Sequence, residues 1–398
     1  MDDAEKCAKC DECSANGYKY CTGCGRPTDA VTVSAYGNDT EKCERCDECF
    51  ANGYAYCTGC GRLINTGAAS GMQAMRAGNI RQEESGFAKI VKISGLLLLL
   101  LCTPMLIFEI FMIFYGFGDI WHDIIDYELC IFLLNPSPYE ALWFGGNLTR
   151  LYYLFLVVSA LGSFAILLYC SRKGIGAIFQ RRPYKHDDIP LYAVITLFAA
   201  IMTFTLAYVL GLGFFGIKME TPFAVAPVWD QWLGLLNASV WEEVLCRILM
   251  VGIPMTVIGL LMRKKGSLKR IFGHFKMDTI ALIVVIASSA IFAYGHLENW
   301  DVFKLPQVFV MGLALGYVFV KFGIYASIML HFMVDYLSTA MWIFGDDIGA
   351  GMIGLFVLSF ILFGAVFFVK YTKQAIVFTK NAIQRNAGSA TDDGATGL

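Results

Sequence analysis

The sequence predicts an all-α polytopic membrane protein of about eight transmembrane helices, preceded by a small cytosolic tandem zinc-ribbon module. The composition is the first reason: 57% of the 398 residues are hydrophobic and 16% are charged, and the mean hydropathy is +0.57. The hydrophobic fraction is above, and the charged fraction below, that of ordinary soluble domains. The second reason is that ten of the 14 cysteines lie within the first 60 residues. The formal net charge of −2 gives no indication of nucleic-acid binding.

An internal duplication occupies the N-terminal region: residues 5–13 recur at 41–49, and residues 20–26 recur at 56–62. Each copy contains two C-x2-C pairs, which together supply the four thiolates of a tetrahedral zinc site. This pattern resembles the short zinc ribbons found at the ends of prokaryotic membrane proteins, and it predicts two structural zinc ions. The predicted ligands are Cys7, Cys10, Cys21 and Cys24 in the first ribbon and Cys43, Cys46, Cys57 and Cys60 in the second.

Two further cysteines leave the ligand choice open. Cys13 and Cys49 each form another C-x2-C pair with the preceding cysteine. An iron–sulfur cluster would need a fourth cysteine three residues later, whereas the next one is Cys21. Zinc is therefore favoured over iron–sulfur clusters or disulfides, and reduced thiols imply a cytosolic N-terminus.

The composition divides the chain into five predicted regions. These are a first zinc ribbon at 1–27, a second at 41–63, a flexible linker at 64–88, a transmembrane domain at 89–372 and a cytosolic tail at 373–398.

Eight apolar segments are predicted to span the bilayer, at 90–116, 150–171, 189–214, 235–262, 278–297, 305–322, 324–345 and 349–370. Lys and Arg cluster after the second, fourth and eighth segments, whereas the loop 118–147 contains five acidic residues and neither Lys nor Arg. The positive-inside rule then predicts a multi-pass cell-membrane protein with both termini in the cytosol.

Three polar motifs interrupt the apolar segments. The fourth contains Glu242-Glu243-x3-Arg247, the fifth ends in Phe292-x3-His296, and the seventh contains His331-x3-Asp335. Charges at such depth usually face a protein interior or a water-filled cavity. Residues four apart share a helix face, so Glu243 is expected to pair with Arg247. Glu242 has no cation within reach on its own helix.

Each motif also has a purely structural interpretation. Glu243–Arg247 alone could be a structural ion pair, a histidine in a span is often an interhelical hydrogen bond, and Phe292 is expected to pack. Four acid–base groups on three spans nevertheless favour a functional site: Glu242, His296, His331 and Asp335.

The residue types suit hydrolysis by two alternative mechanisms. A glutamate with a histidine can activate water, while a second histidine can donate to the oxyanion of a tetrahedral intermediate. Alternatively, two histidines and a carboxylate can hold a catalytic zinc ion with an open water position. The spacing does not decide between the two.

The predicted boundaries place His296 about 27 Å and His331 about 10–12 Å from the cytosolic starts of their spans. A shared site therefore requires the fifth span to start later, to tilt or to be displaced.

The three motifs, in this order, resemble those of the CPBP intramembrane proteases, and the resemblance covers about residues 190–345. This family includes the eukaryotic CAAX endopeptidase and bacterial proteins linked to bacteriocin processing or immunity. The resemblance implies that Glu242 and His296 activate the water and that His331 with Asp335 stabilises the oxyanion. Glu243, Arg247 and Phe292 would be supporting residues. Asp335 stands where CAAX endopeptidases typically have Asn, which weakens the interpretation that the substrate is prenylated.

The leading hypothesis is thus an intramembrane endopeptidase that acts on a membrane-associated protein or peptide, prenylated or not. The zinc ribbons are expected to dock an unidentified protein partner. A non-catalytic scaffold or immunity-type protein is the first alternative. A cation or proton transporter is less favoured, because the sequence lacks paired Gly/Pro-broken segments in two matching halves.

Overall fold

The computed structural model of the protein describes residues 10–16, 18, 20–22, 45–52, 54, 56–58, 86–135, 137–180, 185–217, 227–298 and 300–392. The chain divides into two compact units, Met1–Phe87 and Ala88–Leu398.

In the described part of the first unit, each sequence repeat contains one short helix, α1 (Cys10–Ala15) and α2 (Cys46–Ala51). The two repeats pack on each other: the Tyr56 amide donates to the Thr22 carbonyl at 3.3 Å, and the rings of Tyr18 and Tyr54 lie 6.4 Å apart. The duplication therefore folds as a pair of interacting copies.

The cysteines in this unit are only partly described. Cys13, Cys21, Cys46, Cys49 and Cys57 are buried. The Sγ atoms of Cys13 and Cys49 lie 3.4 and 3.3 Å from the hydroxyls of Thr22 and Thr58, so both extra cysteines face the second C-x2-C segment of their own repeat. The zinc ribbons stay a prediction, because several predicted ligands lie outside the described residues: Cys7, Cys24, Cys43, Cys60 and the side chain of Cys10. Residues 64–85 of the predicted linker also lie outside the described residues.

The second unit is mostly helical. Its described helices are α3 (Gly86–Tyr115), α4 (Phe117–Asp123), α5 (Asn147–Phe179), α6 (Pro190–Phe214), α7 (Val228–Asn237), α8 (Ile253–Leu261), α9 (Thr279–Gly295), α10 (Leu305–Phe322), α11 (Ile324–Tyr336), α12 (Ala340–Ser359) and α13 (Ala365–Asp392). Short 3-10 turns follow α9 and α11, and π-helical segments connect α7 to α8 and α12 to α13.

Within the described residues, six helical stretches are long and apolar enough to cross a membrane: Gly86–Asp126, Asn147–Ile178, Pro190–Phe214, Val228–Leu261, Val302–Phe322 and Asp347–Lys380. This finding confirms a multi-pass membrane protein. Two predicted spans are shorter than expected, because α9 has 17 residues and α11 has 13. The predicted count of eight therefore stays a prediction.

The predicted outer loop contains a β-hairpin, which an all-α assignment did not foresee. Strand β1 (Leu129–Asn135) pairs antiparallel with β2 (Ser137–Phe144), with an irregularity between Ile131 and Phe132. Both strands are rich in apolar and aromatic residues, which favour a pleated conformation. The indole of Trp241 donates to the Phe132 carbonyl at 3.0 Å, so the hairpin contacts the helix that carries the two glutamates.

Close helix packing positions the three motifs. A Cβ added to Gly316 would lie 2.5 Å from Val285, and one added to Gly312 would lie 3.0 Å from Ser289, so α9 and α10 approach closely. The most enclosed element is α11, which packs against α5, α6 and α10 and buries most of its side chains. The polar residues on its inner turns thus have to find partners within the protein.

Candidate active site

The glutamate helix, defined here as residues 228–261, carries the first motif. It changes from α-helical to π-helical geometry over Ala238–Glu242 and Val244–Gly252. Single π-helical turns often occur at functional sites. The predicted ion pair is present here: Arg247 Nε lies 3.2 Å from Glu243 Oε2, and both side chains are 0% exposed.

Glu243 also connects this helix to α11. The Ser327 hydroxyl donates to Glu243 Oε2, and His331 Nδ1 lies 3.0 Å from Glu243 Oε1. The carboxylate nearest to the His331 ring is therefore that of Glu243, on another helix. Glu243 holds an arginine, a serine and a histidine at once.

The second nitrogen of His331 faces the other two carboxylates. Its Nε2 lies 3.5 Å from Asp335 Oδ2 and 3.9 Å from Glu242 Oε2. Asp335 is held from the glutamate helix, because the Ser239 hydroxyl lies 2.9 Å from its Oδ2. Glu242 differs from both neighbours: its Oε2 is buried and has no hydrogen-bond partner among the described residues. Among the three carboxylates around His331, the side chain predicted to lack a cation on its own helix thus carries the unbonded oxygen.

Arg247 connects the glutamate helix to α9. Its Nη1 donates to the Ser288 hydroxyl at 3.3 Å, and Ser288 in turn donates to the Cys246 carbonyl at 2.7 Å. The guanidinium carbon also lies 5.4 Å from the centre of the Phe292 ring, within the range of a cation–π contact. Phe292 therefore supports a buried charge in addition to packing.

Both histidines have their rings close to the Phe292 ring. The ring centroid is 4.8 Å from that of His296 and 6.0 Å from that of His331. The structure thus brings Phe292 next to His331 and places His296 one turn further along α9. The shared site of the two histidines stays a prediction, since the residue that contacts His331 is Phe292, four positions before His296.

The half-buried His296 ring has a defined tautomer. Its Nδ1 lies 2.9 Å from the Phe292 carbonyl oxygen. A carbonyl oxygen can only accept a hydrogen bond, so Nδ1 carries the hydrogen. The lone pair of Nε2 is then available to a water molecule or another ligand.

The sequence analysis missed three serines that complete the cluster: Ser239, Ser288 and Ser327. All three are buried, and each bonds to a charged residue on another helix. The available signal was their spacing, because they stand four residues before Glu243, Phe292 and His331, respectively. Hydroxyls at such positions commonly make interhelical hydrogen bonds in membranes.

The donor set is chemically compatible with zinc, since carboxylates and imidazoles are usual zinc ligands. In the described part of the chain, however, no group of three His, Cys, Asp or Glu side chains is arranged to hold a metal ion. The chemistry proposed below therefore uses only protein groups.

The apolar helices and the enclosed acid–base cluster define a membrane protein with a buried polar site. Residues 224–337 match the family described as Type II CAAX prenyl endopeptidase Rce1-like. The matched range includes all three motifs, and the match supports both the CPBP resemblance and peptidase activity in general. Searches of curated proteins and of solved structures gave no significant match.

Proposed function

We propose that the protein is an intramembrane endopeptidase that hydrolyses a peptide bond with a water molecule activated by Glu242 and His296. The observation that carries this proposal is the unbonded Oε2 of Glu242, which lies beside a cluster whose other acidic groups are tied to serine, arginine and histidine. A carboxylate that is not needed to balance a neighbouring charge is available as a base.

In this mechanism Glu242 accepts a proton from water, and the His296 Nε2 lone pair orients the same water. The water oxygen attacks the scissile carbonyl carbon, and the carbonyl oxygen becomes an oxyanion. Glu242 then returns its proton to the leaving amine as the carbon–nitrogen bond breaks. General acid–base catalysis of this kind contributes about 10²–10⁴-fold to the rate.

His331 is proposed to stabilise the oxyanion. Because its Nδ1 faces Glu243, Nε2 is the nitrogen that can donate to an oxyanion when the ring is protonated. Asp335 lies 3.5 Å from this nitrogen and would repel an oxyanion if it were isolated. Its contact with Ser239 and its pairing with His331 support a positioning role.

The proposed substrate is a membrane-associated protein or peptide. The family match concerns enzymes that act on CAAX prenyl proteins, whereas Asp335 departs from the usual residue in that group. Prenylated and unprenylated substrates are therefore both included in the test.

The test is cleavage by the purified full-length protein of prenylated and unprenylated C-terminal peptides. Glu242→Gln serves as the matched control, because it keeps the size of the side chain and removes the base. Cleavage by the wild type that is lost in the variant supports the proposal. Cleavage that persists in a folded Glu242→Gln protein contradicts the role of Glu242 as the base. No cleavage of either peptide by the folded wild type favours the scaffold alternative.

We also propose that the N-terminal unit binds two structural zinc ions and docks a protein partner. The duplicated C-x2-C pairs and the burial of five cysteines support this role. Elemental analysis should find about two zinc ions more in the full chain than in a chain that starts at Gly86, since each ribbon supplies one tetrahedral site. Equal zinc contents in the two proteins would contradict the ribbon assignment. Zinc retained by the shorter chain would favour a catalytic ion.

A further inference from the structure

The first helix of the second unit, α3, buries an acid that the proposed mechanism does not use. Its exposed face carries Leu100, Ile107 and Phe111, and helical spacing places Glu109 on the opposite face beside the buried Met105. The Glu109 side chain is 1% exposed, and neither of its carboxyl oxygens bonds to any described residue. A buried polar group without a hydrogen bond is costly, so this one indicates a partner from outside the described chain.

Glu109 lines a cavity of about 200 Å³ between α3, the end of α11 and α12. The other lining side chains are apolar apart from that of Tyr336, whose hydroxyl already donates to the Trp232 carbonyl at 3.2 Å. Within the described lining, Glu109 is therefore the only group that can carry a charge at neutral pH. Sites for whole small molecules measure about 300–1,000 Å³, so this smaller space suits a single long side chain.

The cavity adjoins the proposed catalytic cluster. Tyr336 and Leu337, in the cavity wall, directly follow Asp335 in the chain. The carboxyl groups of Glu109 and Asp335 are close enough to interact electrostatically. The wall also contains Pro104, which is exposed, so the cavity borders the outer surface of the helix bundle. It is therefore placed to take a side chain that lies near the scissile bond of a membrane-associated substrate.

The lining determines the chemistry of that side chain. Buried charges are paired, and a carboxylate with both oxygens unbonded matches the two parallel N–H donors of a guanidinium group. The apolar walls match the methylene stem of a long basic side chain. Arginine therefore fits the cavity better than lysine, whose ammonium group is a single point charge.

We propose that this cavity is a substrate subsite that binds an arginine side chain, or less tightly a lysine side chain, close to the scissile bond. The inference rests on the proposed peptidase function. It names the substrate class as membrane-associated segments with a basic residue near the cleaved bond.

Binding to the cavity can be measured without activity. The purified full-length protein is titrated calorimetrically in mixed micelles with n-butylguanidinium and with n-butylurea, a neutral analogue of similar shape. We expect the guanidinium to bind about 10–100-fold more tightly than the urea, as for hydrogen bonds to a charged group. Glu109→Gln should remove this difference, whereas Glu128→Gln, at an exposed position outside the cavity, should keep it.

Two results of this titration would overturn the inference. The first is equal affinity of the wild type for the two probes. The second is a difference that persists in Glu109→Gln, because the guanidinium would then bind to other carboxylates. The variant is expected to fold, since Glu109 makes no hydrogen bond to any described residue.

The effect on cleavage is measured with a peptide that the wild type cuts. The residues next to the cleaved bond are replaced one at a time by Arg or by Gln. At one position Arg should raise kcat/KM by about tenfold or more over Gln, and this ratio should fall to about one in Glu109→Gln. A structural role alone would lower both rates alike and overturn the inference. If no peptide is cut, the proposed function is weakened, while the titration still decides the cavity.

An aminophospholipid is the other source of a cationic group in a membrane. Lipids extracted from the purified wild type and from Glu109→Gln are compared by mass spectrometry. Phosphatidylethanolamine that is enriched in the wild type and lost in the variant would assign the cavity to lipid and overturn the inference. Equal lipid contents support the substrate subsite.

Discussion

Replacing each of the two adjacent glutamates by glutamine should separate structure from catalysis. In Glu243→Gln, the fully buried Arg247 loses its counter-ion, and Ser327 and His331 lose a charged acceptor. Breaking a buried ion pair by removing one partner costs about 3–5 kcal/mol, because the remaining charge is left uncompensated. We expect the free energy of unfolding to fall by about this amount.

Glu242→Gln should behave differently. Its Oε2 has no partner among the described residues, and a neutral amide is easier to bury than a carboxylate. We expect the free energy of unfolding to stay within about 1 kcal/mol of the wild-type value. The cleavage rate should fall by about 10²–10⁴-fold. Denaturant titration in mixed micelles, followed by tryptophan fluorescence, measures the stability of both variants under the same conditions.

A double substitution provides the control. Glu243→Gln combined with Arg247→Met removes both charges. The double variant should therefore lose less stability than the two single variants lose together. Two results would refute the reasoning: a Glu243→Gln protein as stable as the wild type, or a Glu242→Gln protein as destabilised as Glu243→Gln.

Three further predictions concern other positions. Ser327→Ala removes a donor to a buried carboxylate, so the free energy of unfolding should fall by about 1.5–3 kcal/mol in a denaturant titration. An unchanged free energy would argue against the contact. His296→Ala should lower the turnover by about 10²–10⁴-fold while stability stays near that of the wild type, whereas Phe292→Ala should cost about 3–5 kcal/mol. The reverse ranking of these two in stability would contradict the assigned roles. Gly252→Ala should destabilise the fold by about 1–3 kcal/mol, because the added Cβ would meet the Ile271 carbonyl oxygen. An unchanged unfolding midpoint would contradict this close contact.

The three motifs could be predicted from the sequence because each depends on local helix geometry. Glu243 and Arg247 are four residues apart, and this spacing alone indicates an ion pair. The contacts between helices could not be predicted in this way. Glu243 bonds to His331 across 88 positions of the chain, and Asp335 bonds to Ser239 across 96.

The β-hairpin and the short α11 were missed for a related reason. A run of apolar residues in a membrane protein is read as a helix on grounds of length and hydropathy. The strands at 129–144 lie in the segment 118–147, which was predicted as a loop, because the pairing of two strands is not a property of either segment alone.

Composition, charge distribution and residue spacing determined by themselves that this is a multi-pass membrane protein with a buried acid–base site on three helices. They did so because apolar length, loop charge and helical periodicity are properties of a single segment. Only the tertiary structure decided that Glu243 is the centre of the cluster and that Glu242 keeps an unbonded oxygen. These features depend on which helices meet and at what height, to which the close approaches at Gly252, Gly312 and Gly316 contribute.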